Sequence, residues 1–94
     1  MSHEKQEKEV RVENTLGLHF RPASKLVRLA TQFAADVTLA RPGHEQVVNC
    51  KSMMEVLLLA ADQGTRLVLR ADGPDAEEAV MKISELFEKK FEEE

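Results

Sequence analysis

The sequence contains few of the residues that stabilise secreted proteins or anchor proteins in membranes. Its 94 residues include one cysteine, no tryptophan and no tyrosine. Because a lone cysteine, Cys50, cannot form an internal disulfide, we expect a reducing cytoplasm as the location. The longest apolar run, Val56 to Ala61, is far too short to span a membrane, and residues 1–7 are polar, unlike a signal peptide. We therefore predict a cytoplasmic protein that does not insert into membranes.

Positive charge is also limited, and the net charge is −4. This balance disfavours an extended nucleic-acid-binding surface, so we expect no nucleic-acid partner. The acidic residues concentrate between Asp72 and Glu78 and at the chain end, whereas the segment from Arg21 to Arg28 has three basic residues and no acidic one. Such a basic segment on an acidic protein favours a phosphorylated ligand or an acidic protein partner.

The length limits the kind of site that the chain can build. A single domain of this size buries roughly 60–65% of the surface of its unfolded chain. That is too little for a deep enclosed active site, so function is expected at the surface. We predict a domain over residues 8–91, with a flexible tail over residues 1–7 and an acidic end over residues 92–94. No cluster of metal-binding side chains accompanies His3 or His44, and we expect neither a metal nor a cofactor.

The hydrophobic spacing predicts four strands and three helices in the order β-α-β-β-α-β-α. The strands are predicted over residues 9–13, 36–40, 46–50 and 65–71, and the helices over residues 20–32, 53–59 and 75–91. A turn at Pro42 and Gly43 joins the second and third strands into a hairpin. We therefore predict an α+β fold in which a four-stranded antiparallel sheet carries three helices on one face.

The octapeptide Gly17–Ser24 is the segment that points to chemistry. Pro22 fits the first turn of a helix and would break its interior, which places His19 at the N-cap. A helix start presents unbonded N–H groups and a positive dipole end, and therefore binds phosphate. Imidazole can act as a covalent nucleophile near neutral pH. We predict that His19 accepts and passes on a phosphoryl group, the alternative being a plain helix cap.

The segment Gly17–Ala23 (GLHFRPA) resembles the active-site signature of the HPr family, the histidine-containing phosphocarriers of the bacterial phosphotransferase system. Lys51 and Ser52 resemble the family's regulatory serine segment, and the similarity extends over about residues 9–90. The resemblance implies an open-faced β-sandwich. It also implies a pros-phosphohistidine, with the phosphoryl group on Nδ1 of His19.

The same resemblance implies the protein partners. Phosphorylated enzyme I, charged by phosphoenolpyruvate, would supply the phosphoryl group to His19, and a downstream acceptor protein of the enzyme IIA type would receive it. The chain would then be a carrier, acted on by enzymes and not itself an enzyme. We expect it to be a monomer.

Two further residues of these segments have both a functional and a structural interpretation. Arg21 can offer a bidentate fork to phosphoryl oxygens, although an arginine at a helix start is often just solvated. Ser52 begins an S-x-x-E pattern with Glu55, which predicts a helix cap without any regulation. The resemblance instead implies phosphorylation of Ser52 by HPr kinase/phosphorylase.

The partner-binding surface is predicted on the helical segments around His19. Arg28 would recognise an acidic surface of enzyme I, the alternative being that it serves only solubility. Met53 and Met54 belong to a helix with more apolar residues than one buried stripe needs. Phe20 stands where the family usually has a small residue, and would either widen the apolar surface or restrict the movement of the His19 imidazole. Glu55 also departs from the family's usual glycine or lysine.

Two other functions remain compatible with the sequence. The chain could be an HPr-like regulatory adaptor that signals through phosphorylation of His19 or Ser52 without sugar transport. It could also be an α+β interaction module that uses only its methionine-rich surface. Uptake of a phosphoryl group on His19 from enzyme I separates the carrier from the interaction module.

Overall fold

The sheet of this computed structural model, which describes residues 4–92, has one covered and one open face. Its strands are β1 (Glu4–Arg11), β2 (Asp36–Ala40), β3 (Val47–Asn49) and β4 (Arg66–Gly73), arranged antiparallel in the order β1-β4-β2-β3. Alternate residues of β4 point in opposite directions, so Leu67 and Leu69 are fully buried while Arg66 and Arg70 are exposed. On the open face, Arg70 forms an ion pair with Glu7 at 3.2 Å.

The helices follow the predicted order and close the core. They are α1 (Phe20–Ala30), α2 (Met53–Leu59) and α3 (Ala76–Glu88), followed by a 3₁₀ turn at Lys90–Glu92. Apolar side chains of all three helices, such as Leu26, Val56 and Ile83, are fully buried in one cluster with the inner residues of the sheet. This architecture confirms the predicted α+β fold and the open-faced sandwich.

Strand β1 begins earlier than predicted, so residues 4–7 belong to the sheet and not to a flexible tail. Residues 4–7 pair in register with residues 70–73 of β4. The sequence there is almost entirely charged and shows no hydrophobic alternation, which is why the pattern missed it. Charged residues suit β1 because it is an edge strand, and they discourage pairing with other chains. Residues 1–3, including His3, lie outside the described part of the chain.

Helix α3 ends at Glu88, three residues before the predicted end. The chain then turns through residues 90–92, all with positive φ, and the Phe91 ring packs back against Phe87 with centroids 4.8 Å apart. Phe91 is fully buried, and it belongs to the 3₁₀ turn and not to the helix predicted over residues 75–91. Glu92, the first residue of the predicted acidic end, lies in this turn. Residues 93–94 lie outside the described part of the chain.

Asp75 is the N-cap of α3, but its carboxylate binds elsewhere. Its oxygens accept hydrogen bonds from the backbone N–H groups of Ala34 and Ala35, at 2.9 and 2.8 Å. The bond from Ala34 is the main cause that holds the pKa of the Asp75 carboxyl below its usual value. Asp75 therefore joins the start of α3 to the loop that follows α1.

Candidate functional site

His19 occupies the N-cap of α1, which confirms the position predicted from Pro22. Its backbone is extended, with φ −83° and ψ −167°, and its side chain makes no capping hydrogen bond to the helix. The residue is partly exposed, so its ring lies at the surface and not in the core. The imidazole is therefore placed where a second protein can approach it.

The first turn of α1 presents backbone donors beside His19. Phe20 and Arg21 are the first two helical residues, and their N–H groups have no carbonyl within the helix to bind. Pro22 has no N–H group, and the N–H of Ala23 donates to the carbonyl of His19 at 2.9 Å. Two N–H groups and the positive end of the helix dipole can thus hold the oxygens of a phosphoryl group on His19.

The loop before His19 is fixed against the segment that follows α2. The N–H of Leu18 donates to the carbonyl of Ala61 at 2.8 Å. The side-chain amide of Asn14, which is buried, donates to the carbonyl of Gly17 at 2.7 Å. Gly17 has a φ of +74°, and a Cβ added there would lie 2.5 Å from the carbonyl oxygen of Ala61. These contacts fix the start of α1 and thereby the position of His19.

The sequence predicts that residues 14–17 end the first strand and that Gly17 gives backbone freedom before His19, but it does not predict the hydrogen bond from Asn14. The spacing of Asn14 and Gly17 was the available signal, because asparagine and glycine three residues apart are typical of a turn closed by a side-chain hydrogen bond. The partner Ala61 could not be found from sequence, since it lies more than forty residues away along the chain.

The three basic residues of α1 differ in what they contact. Arg21 is exposed, and no side chain in residues 4–92 pairs with its guanidinium. Lys25 donates from Nζ to the carbonyl of Phe91 at 2.7 Å, so it also links α1 to the C-terminal turn. Arg28 is exposed in the last turn of the helix. Their spacing of four and three residues places all three along one side of α1.

Ser52 makes one of the two hydrogen bonds of the predicted capping box. Its hydroxyl accepts the N–H of Glu55 at 3.3 Å, which confirms Ser52 as the N-cap of α2. The carboxylate of Glu55 was expected to accept the N–H of Ser52, but it accepts the N–H of Asn49 at 2.9 Å instead. The N–H of Ser52 donates to the carbonyl of Asn49 at 3.0 Å, which satisfies it without Glu55.

Large apolar side chains are exposed on α2 and around the start of α1. We call this set of residues the apolar patch, and its members are Leu16, Phe20, Met54, Leu57 and Leu58. The first three and Leu58 are between 67% and 74% exposed. The two segments meet where Leu18 binds Ala61, and solvated apolar side chains at such a junction are typical of a protein-binding surface.

The apolar patch agrees only in part with the predicted partner residues. Phe20 and Met54 are exposed, but Met53 is half-buried and packs against the core. Leu58 was predicted only as part of the apolar surplus of α2, and Leu16 was not predicted. The signal for Leu58 was the surplus of apolar residues in α2, while the isolated Leu16 in a loop gave none.

The remaining candidate residues have no arrangement that suggests chemistry. Cys50 is buried, and burial raises the pKa of its thiol to about 12. His44 lines a surface cavity of about 180 Å³ together with Arg41, Gln46 and Leu59. Within residues 4–92, no three histidine, cysteine or acidic side chains are grouped so that they could hold a metal ion. In the same part of the chain, no helix is both long enough and apolar enough to cross a membrane.

The chain is similar in sequence to known proteins over most of its length. A family model described as PTS HPr component phosphorylation site matches residues 6–89. The phosphocarrier protein HPr of Xylella fastidiosa (strain Temecula1) is 48% identical over 87 residues, which cover 93% of this chain and 96% of that protein. The HPr of Treponema pallidum is 44% identical over 87 residues, covering 93% of this chain and 97% of that protein.

A solved structure is similar over nearly the whole chain as well. The crystal structure of HPr from Thermoanaerobacter tengcongensis has a TM-score of 0.88 and 36% sequence identity to this chain. The match covers 95% of this chain and 98% of that one. Sequence and fold therefore indicate the same family.

Proposed function

The chain belongs to the HPr family of phosphocarrier proteins of the phosphotransferase system, and on that premise we propose that His19 is the residue that carries the phosphoryl group. The observation that supports this proposal is the position of His19 at the start of α1, partly exposed and followed by two backbone N–H groups that have no partner within the helix. The neutral imidazole attacks phosphorus through Nδ1, and the N–H groups of Phe20 and Arg21 hold the phosphoryl oxygens. The group stays at the surface, so a second protein can remove it.

The proposed donor is phosphorylated enzyme I, and the proposed acceptor is a protein of the enzyme IIA type. In the first transfer, the bond between phosphorus and enzyme I breaks as the bond to Nδ1 of His19 forms. In the second, the bond to Nδ1 breaks as the acceptor attacks. Because the same face of α1 serves both steps, the carrier must dissociate from enzyme I before it meets the acceptor.

The direct test is transfer in a purified system. The protein is incubated with enzyme I and phosphoenolpyruvate, and its mass and acid lability are measured before and after addition of an enzyme IIA-type protein. We expect the gain of one acid-labile phosphoryl group, followed by its loss to the acceptor. A protein that gains no phosphoryl group, or gains an acid-stable one, would contradict the proposed carrier role.

Arg21 is the proposed stabiliser of the phosphoryl group during transfer. Its guanidinium is exposed in the first turn of α1, where it can bind two phosphoryl oxygens at once, whereas a lysine ammonium cannot. Loss of a charge-assisted hydrogen bond of this kind corresponds to a rate decrease of about 10- to 100-fold. We expect Arg21→Lys to slow phosphoryl transfer by this factor in rapid-quench measurements and to leave stability unchanged.

The control for Arg21 is an arginine on the open face of the sheet. Arg66 is exposed on β4 and pairs with Glu9 at 3.5 Å, away from the helices. Arg66→Lys should retain the wild-type transfer rate. Equal rates for Arg21→Lys and Arg66→Lys would remove Arg21 from the mechanism.

The apolar patch, together with Arg28, is the proposed docking surface for enzyme I and the acceptor. Exposed anchors near the centre of an interface contribute about 1–2 kcal/mol each to binding. We therefore expect Leu58→Ser to raise the KM for enzyme I by roughly 5- to 30-fold, with little change in the maximal rate. The matched control is Met81→Ser on α3, because Met81 is 61% exposed and Leu58 is 67% exposed. If both variants raise KM equally, the patch does not dock enzyme I.

Ser52 is the proposed regulatory residue. It is partly exposed and caps the helix that carries Met54, Leu57 and Leu58. A phosphoryl group from HPr kinase/phosphorylase would add negative charge beside the apolar patch and weaken docking to an acidic partner.

A cytoplasmic location, a monomeric state and the absence of catalytic activity of its own complete the proposal. The monomeric state is open to a direct check by light scattering, since HPr from T. tengcongensis has also been crystallised as a dimer.

A further inference from the structure

The turn between β3 and α2 is held together by the carboxylate of Glu55. Oε1 of Glu55 accepts the N–H of Asn49 at 2.9 Å, and the N–H of Glu55 donates to Oγ of Ser52 at 3.3 Å. Oδ1 of Asn49 accepts the N–H of Lys51 at 2.9 Å, so a second side-chain hydrogen bond stabilises the turn. The Ser52 hydroxyl thus lies within a hydrogen-bonded turn that already contains one negative charge.

Lys51, the basic residue of this turn, is directed to another part of the protein. Nζ of Lys51 donates to the carbonyl of Phe33 at 2.7 Å, in the loop after α1. The same ammonium group helps to lower the pKa of the Asp75 carboxyl. Lys51 would have to leave the carbonyl of Phe33 before it could neutralise a phosphoryl group on Ser52.

We propose that Glu55 opposes phosphorylation of Ser52 and so determines how readily this regulatory site is used. The proposal builds on the regulatory role proposed for Ser52. A kinase would transfer the terminal phosphoryl group of a nucleoside triphosphate to Oγ, release the nucleoside diphosphate and remove the hydroxyl proton. The product has close to two negative charges three residues before a carboxylate in the same helical turn. Either the two groups repel each other, or Glu55 releases the N–H of Asn49 and the turn opens.

The experiment measures this repulsion without depending on any kinase. Cys50 lies two residues before Ser52, so the full chain can be assembled by ligation of two synthetic segments at Cys50, with serine or phosphoserine at position 52. Both forms are made with Glu55 and with Glu55→Gln, which keeps an oxygen acceptor for Asn49 and removes the charge. Urea unfolding then gives the folding equilibrium constant of each of these proteins.

With Glu55 present, phosphoserine should lower the folding equilibrium constant roughly tenfold, and with Glu55→Gln by less than about twofold. The matched control is Glu78→Gln, because Glu78 is the third residue of α3 as Glu55 is of α2. Phosphoserine should lower the constant in the Glu78→Gln background as strongly as in the wild type. The same effect of phosphoserine with Glu55 and with Glu55→Gln would overturn the proposal.

A kinase assay separates this proposal from the regulatory role of Ser52. HPr kinase/phosphorylase should modify Ser52 about five- to tenfold faster in Glu55→Gln than in the wild type or in Glu78→Gln. Equal rates for Glu55→Gln and wild type would count against Glu55 as the residue that restricts the site. If the kinase modifies none of the variants, the regulatory role of Ser52 fails, while the unfolding comparison still decides the effect of Glu55.

Discussion

Replacing His19 with alanine is expected to abolish phosphoryl uptake from enzyme I. Alanine has no nucleophilic atom, and no other histidine in residues 4–92 lies at the start of a helix. The side chain of His19 makes no capping hydrogen bond, so its removal should leave α1 formed. The expected result is a folded protein that gains no phosphoryl group over the time in which the wild type is fully charged.

His44→Ala is the control for that experiment, because His44 is an exposed histidine in the loop between β2 and β3. It should be charged at the wild-type rate. Intact mass spectrometry measures uptake, and circular dichroism verifies that both variants are folded. If His19→Ala is charged, or if His44→Ala is not charged, the phosphoryl group is carried by a residue other than His19.

Gly17→Ala is expected to have the second largest effect, because it disturbs the loop that positions His19. The φ of +74° costs an alanine about 1 kcal/mol or more, and its Cβ would lie 2.5 Å from the oxygen of Ala61. The loop must therefore move, which weakens the hydrogen bond between Leu18 and Ala61. We expect a loss of about 2–4 kcal/mol in the free energy of unfolding and slower phosphoryl transfer in the protein that remains folded.

A substitution at a second glycine separates the cost of the positive φ from the cost of the close contact with Ala61. Gly43 has a φ of +79°, but a Cβ added there would have no heavy atom within 4 Å. Gly43→Ala should therefore lose only about 1 kcal/mol and retain wild-type transfer. Urea unfolding and the enzyme I assay on both variants measure the difference. Similar losses in both would show that the contact with Ala61 does not position the site.

The sequence predicted the elements whose side chains follow a clear pattern. Pro22 placed the start of α1 and therefore His19, and the S-x-x-E pattern placed the start of α2 at Ser52. Buried residues alternate along β2 and β4 as the hydrophobic pattern indicated. These features depend on interactions between residues close together in the chain, which a single sequence reveals.

The features that the sequence missed depend on contacts between distant segments. Residues 4–7 join the sheet through backbone hydrogen bonds to β4, which require no hydrophobic side chains. Asp75 binds Ala34 and Ala35 because the loop after α1 folds against the start of α3. At the candidate site, the contact between Gly17 and Ala61 likewise appears only when both segments are folded.

The central claim is that the start of α1 holds a phosphoryl group on Nδ1 of His19. Its most direct test is a pair of ¹H–¹⁵N NMR spectra of the protein, recorded before and after charging with enzyme I and phosphoenolpyruvate. We predict a phosphorylated Nδ1 in the long-range spectrum of the His19 ring, and the largest amide shifts at Phe20 and Arg21. A phosphoryl group on another residue, or unchanged Phe20 and Arg21 amides, would contradict the claim.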